Sequence, residues 1–197
     1  MQHRSEETRA HIINAAYRLF SQHGYEATGV SEICKEAGVS KGAFYHHFPS
    51  KQAVFTKLLD LWLQMLDNGF KQVLSETQNI PQAILGMAAM AGTTFQTADV
   101  SILIMLEFWT KASRDPSVWQ TAIAPYRNYQ AYFAKLIQEG IAEGSFRPVD
   151  PGAASRCLEA LAIGILMQAI FDPQATDWSK ETVQSIQFLF DGLLKKE

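Results

Sequence analysis

Residues 24–51 read GYEATGVSEICKEAGVSKGAFYHHFPSK, and the tight turn at their centre, Ala37-Gly38-Val39-Ser40, restricts the fold more than any other part of the chain. Thr28 is placed to cap a helix over Val30–Ala37, with Val30, Ile33 and Cys34 or Ala37 on one apolar face. Gly38 supplies the left-handed residue that ends this helix. Val39 plugs the turn, and Ser40 caps a second short helix, Lys41–His47. Two helices joined by a short glycine-containing turn form the helix-turn-helix pattern. The second helix carries Lys41, Gly42, Tyr45, His46 and His47, a mixture of donors and small residues suited to a DNA groove. Its large apolar residues, Phe44 and Phe48, are spaced i, i+4 and anchor one face to a core.

Helical periodicity extends over the rest of the chain, with no convincing alternating strand. A first helix is expected over residues 5–23, burying Ile12, Ala15, Ala16, Leu19 and Phe20 and closed by Gly24. A fourth, capped by Ser50, runs to about residue 73 with apolar residues on two sides. Further helices are expected over residues 81–95, 101–113, 115–143, 152–171 and 179–196, the third of these kinked or split by Pro125. The expected fold is therefore all-α with about nine helices. Residues 1–50 form a three-helix DNA-binding domain and residues 51–197 a larger helical domain for ligand binding and dimerisation.

Taken together, these residues resemble the TetR family of one-component transcriptional regulators. The resemblance rests on Ala15-Ala16 and Leu19-Phe20, Gly24-Tyr25, Thr28, Ile33, Ala37-Gly38-Val39-Ser40, Gly42, Phe44-Tyr45, His47-Phe48 and Lys51, and covers about the first quarter of the chain in detail. Gly29 departs from it, standing where the family often has a hydroxyl or a larger residue. The resemblance implies a cytoplasmic homodimer that binds a palindromic double-stranded operator as a repressor and is released by a small apolar or aromatic effector. It also implies that Thr28, Ser40, Tyr45 and Lys51 touch the DNA backbone. A helix-turn-helix protein controlled by a protein partner is the alternative.

The residues themselves add to this. Lys41 is a further phosphate ligand, because Ser40 and Ser50 open helices whose free N–H groups attract anions. Gly42 lets the backbone approach the groove floor, Ala43 suits a thymine methyl, and His46 a guanine or a phosphate. His46 and His47 point about 100° apart on a helix, which does not suit one metal ion. No nucleophile–base pair, phosphate loop or carboxylate pair suggests an enzyme, and no cofactor is implied.

Composition sets outer bounds. At 197 residues, with 47% hydrophobic and 19% charged, the chain has enough apolar mass for a core. Residues 1–51 hold 6 Lys+Arg against 5 Asp+Glu, whereas the whole chain carries −3, so the basic excess is local and small. No transmembrane helix and no signal peptide are expected. Cys34 and Cys157 have neither zinc nor disulfide spacing.

Methionines and aromatics at helical spacing are ordinary core, but as a set Met87, Met90, Met105, Phe108, Trp109, Tyr126, Tyr129, Phe133 and Met167 suit an adaptable ligand cavity. Glu107 interrupts an apolar run and is read as the i, i+4 partner of Lys111. Leu161, Ile165, Val183, Ile186, Phe190 and Leu194 form broad apolar stripes on the last two helices. By the resemblance, these helices build a four-helix dimer bundle.

Overall fold

The computed structural model describes residues 2–96, 106–110 and 112–193. Among them every regular element is a helix, with no strand. The elements are α1 (Gln2–Ala27), α2 (Val30–Ala37), α3 (Lys41–His47), α4 (Lys51–Glu76), α5 (Ile80–Gln96), α6 (described over 106–110), α7 (Pro116–Ala142), α8 (Pro151–Phe171) and α9 (Trp178–Leu193). The sequence therefore placed every described helix, with α7 continuing through Pro125 as one element. Met105, Lys111 and Leu194 lie outside the described residues.

The chain forms two compact units. The first holds Met1–Met65 with Val100–Trp119, the second Leu66–Asp99 with Gln120–Glu197. The first thus reaches beyond the expected 1–50 head, for a physical reason. Phe55 of α4 stacks on Phe108 of α6 with ring centroids 4.1 Å apart, and Tyr25 packs edge-on against both rings. These rings continue a core of Ile12, Ala15, Ala16, Phe20, Ile33, Phe44, Phe48 and Val54.

In the second unit α5, α7, α8 and α9 enclose a core of Phe70, Ile80, Ile84, Met87, Leu136, Ile137, Phe146, Leu158, Ile186 and Phe190. Asp150 caps α8 through a 2.7 Å bond from the Ala153 N–H, with Pro151 in the first turn. Asp177 caps α9: its carboxylate accepts from the Lys180 N–H. Contrary to the sequence reading, α8 is long and apolar enough to span a bilayer by length and composition, with mean hydropathy 1.5. In this fold its apolar positions Ala154, Leu158, Ile165, Leu166 and Ala169 are buried in the unit.

Candidate nucleic-acid interface and internal cavity

The reading surface is set by how α3 is held. Ser40 has extended backbone dihedrals, and its Oγ accepts from the Ala43 N–H at 3.1 Å. A hydroxyl that accepts in this way keeps its own proton, so capping and donating to a phosphate are compatible. Gly38 ends α2 with φ 66° and ψ 32°, as expected for a left-handed cap. Phe44 and Phe48 are buried, and Arg9 lies over the Phe48 ring at 5.2 Å. That anchoring leaves Lys41, Gly42, Tyr45 and His46 exposed on the opposite side, with Ala43 and His47 half-buried. Tyr45 is 54% exposed, and its ring rests edge-on against Phe44. A Cβ built on Gly42 would meet only Ser40 Oγ, at 3.7 Å, so the space in front of this glycine is open.

Thr28 and Lys51 are placed differently from what the sequence suggested. The N-cap of α2 is Gly29, whose N–H donates to Glu32 Oε2 at 2.7 Å. Thr28 is 1% exposed, and its hydroxyl donates back to the Gly24 carbonyl at 2.8 Å. Lys51 Nζ donates to the carbonyls of Tyr25 (2.7 Å), Thr28 (2.9 Å) and Glu26 (3.3 Å), 4.3 Å from the centre of the Tyr25 ring. An ammonium has three protons, and three carbonyls use them. In this arrangement both residues fasten the end of α1.

Glu107 completes that fastening, in a role the sequence did not suggest. Gly24 adopts φ 82° and ψ 165° and breaks α1, which leaves the N–H groups beyond it without helical acceptors. Glu107 Oε2 accepts from the Tyr25 N–H at 2.9 Å and Oε1 from the Glu26 N–H at 2.7 Å. Burial, with Glu26 and Glu107 adding charge repulsion, pushes the Tyr25 phenol up to about 12.

The second unit contains a cavity of about 130 Å³ lined by Phe70, Ile84, Met87, Ala88, Ala91, Phe133, Leu158, Glu159, Ala162, Thr182 and Ile186. Met87 and Phe133 from the expected set line it. Met90 packs against the same core without lining the cavity, and Met167 is half-buried on α8. Tyr129 donates to Asp67 at 2.7 Å; burial, then this bond, raises its pKa. The Tyr126 hydroxyl accepts weakly from Gln130, and burial raises its pKa too. Phe108 and Trp109 belong to the first unit, where Phe108 is core.

Sequence reasoning missed Glu159. This carboxyl is 8% exposed; Oε2 accepts from Gln130 Nε2 at 3.2 Å, while Oε1 has no hydrogen-bond partner. Burial raises its pKa, against the lowering influence of Gln130, Tyr126, Arg156 and Ser155. The signal was available, because Glu159 interrupts an apolar run just as Glu107 does.

The expected dimer residues need the same correction. Ile165, Ile186 and Phe190 are at most 2% exposed within the single chain, and Leu161 and Val183 are half-buried. Among the described residues, the exposed large apolar side chains of α8 and α9 are instead Ile163, Phe171 and Phe188, the last 75% exposed.

Comparisons with known proteins agree with this architecture. Residues 12–58 match the family described as bacterial regulatory proteins, tetR family, and residues 84–188 match that described as BetI-type transcriptional repressor, C-terminal. The HTH-type transcriptional regulator UidR of Escherichia coli (strain K12) is 24% identical over 197 residues, covering 98% of this chain and 96% of its own. A putative transcriptional regulator from Saccharomonospora viridis, solved with choline, superposes with a TM-score of 0.79 at 19% identity, covering 97% of this chain and 100% of that one. The SmeT–triclosan complex superposes with 0.79 at 22%, covering 96% and 92%.

Proposed function

Because the chain belongs to the TetR family of helix-turn-helix transcriptional regulators, we propose that it is a homodimeric repressor released from a palindromic operator by a small, largely apolar effector. The observation that carries the DNA-binding part is the exposed face of α3, where Lys41, Gly42, Tyr45 and His46 surround an open glycine while Phe44 and Phe48 fix the helix from behind. Gly42, Ala43 and His46 meet base edges. Ser40, Lys41 and Tyr45 meet phosphates, with Thr28 and Lys51 supporting them through the end of α1.

The effector part rests on the apolar cavity of the second unit and on the two neighbours whose structures hold small molecules of different chemistry. Helix α4 contributes Phe55 to one core and Phe70 to the cavity wall, so occupancy of the cavity acts on the head through α4. Dimerisation uses the α8–α9 face that carries Ile163, Phe171 and Phe188, and it sets two heads about 34–36 Å apart for half-sites one duplex turn apart.

The test is selection of genomic fragments by the full-length protein, followed by gel shifts and titration with hydrophobic and polar compounds. The expected result is a two-fold symmetric site, bound by a dimer and released by a hydrophobic compound. Binding to a site without symmetry, or release by a highly polar metabolite alone, overturns the reading.

A further inference from the structure

We propose that Glu159 makes the cavity of the second unit a subsite for a primary ammonium group, so that the effector is a small apolar amine of about one ring. The inference rests on the effector reading above and specifies its chemistry. Glu159 lines the cavity, is 8% exposed, and spends one oxygen on Gln130 while Oε1 has no partner. A buried carboxylate oxygen without a donor is costly to maintain, so a ligand that brings the donor recovers that cost on binding.

Of the other polar groups nearby, the Tyr126 hydroxyl accepts weakly from Gln130 and, like Arg156, lowers the Glu159 pKa, yet neither makes a hydrogen bond to Oε1. Ser155 donates to the Gln130 carbonyl at 2.8 Å, Thr182 donates to the Trp178 carbonyl at 2.7 Å, and Arg156 is exposed. The remaining wall is hydrocarbon from Phe70, Ile84, Met87, Phe133, Leu158 and Ile186. Such a wall rejects a second polar group, because its water would be lost without replacement. The volume of about 130 Å³ suits a single ring, since an apolar cavity of about 150 Å³ holds benzene. A carboxylate facing an ammonium in a dry pocket forms a charge-assisted bond that a neutral hydroxyl of the same shape does not match.

The experiment is calorimetric titration of the full-length protein with benzylamine and with benzyl alcohol, which have nearly the same shape. Wild type is expected to bind the amine at least about tenfold more tightly. In Glu159→Gln, checked for an unchanged circular-dichroism spectrum and a Tm no lower than wild type, the ratio should fall to about one. In Ala162→Leu, which fills the cavity, both affinities should drop together. Equal binding of the two probes by wild type overturns the inference, as does an amine preference that survives Glu159→Gln. So do affinities untouched by Ala162→Leu, or no binding of either probe. Operator release is read separately with the wider compound panel, so a larger hydrophobic inducer found there leaves the repressor reading standing while this inference falls.

Discussion

Replacing Lys51 by Met keeps most of its hydrocarbon stem while deleting the ammonium that donates to the carbonyls of Tyr25, Glu26 and Thr28. Bonds to a charged donor contribute about 1.5–3 kcal/mol, less where solvent screens them. Lys51→Met should therefore lower the unfolding free energy by about 1–2 kcal/mol, seen as a shift in urea midpoint at constant m. A midpoint unchanged alongside weakened binding to all DNA would return Lys51 to phosphate contact. Gly42→Leu probes the opposite case. A Cβ there meets no crowding, so the variant should fold with near-native Tm yet lose operator binding, as gel shift would show. The difference between these residues explains what was legible. Ser40, Gly38 and Phe44 act within one or two helical turns, so their roles follow from spacing. Lys51 and Thr28 act through the three-dimensional end of α1, and spacing alone does not reveal which acceptors lie within reach.

At the scale of elements, helix order and capping were readable because periodicity, Gly and Pro are local signals. Which carboxylate sits in which environment was not. Glu107 and Glu159 interrupt similar apolar runs, yet one accepts two backbone N–H groups and the other keeps an oxygen without a partner. The Glu159 pKa is raised, so in the window between its unfolded value near 4.5 and its folded value the native state binds more protons than the unfolded state. Its contribution to stability therefore falls as pH rises through that window. Glu159→Gln removes the ionisation, and its Tm should exceed wild type at pH 7, with the gap closing below about pH 4.5. A gap that does not vary with pH would mean that Glu159 ionises freely in the folded protein.

For the whole molecule, two residues two positions apart on α9 separate folding from assembly. Phe190 is 0% exposed and packs against Phe146 with ring centroids 5.2 Å apart, whereas Phe188 is 75% exposed. Phe190→Arg buries an unpaired charge and should yield unfolded or aggregated protein. Phe188→Arg should leave a native circular-dichroism spectrum while sedimentation shows a monomer, with operator affinity reduced because paired heads share one site. A Phe188→Arg variant that stays dimeric would move the interface off this face. The sequence had assigned the stripe of Phe190, and not Phe188, to assembly, since an apolar stripe does not say whether its own chain or another covers it.

The carboxylate of Glu107 holding the backbone of Tyr25 and Glu26 bears on how such a regulator can be recombined. A gene fusion that transplanted residues 1–50 onto another sensor would carry the two N–H groups without their acceptor, together with Phe55's and Phe108's partner Tyr25 stripped of both rings. The graftable cassette is discontinuous: it needs the segment around Glu107 and Phe108 as well, which an insertion after α5 would have to supply. Descent by swapping heads between sensors would then favour exchanges that bring both pieces from one parent.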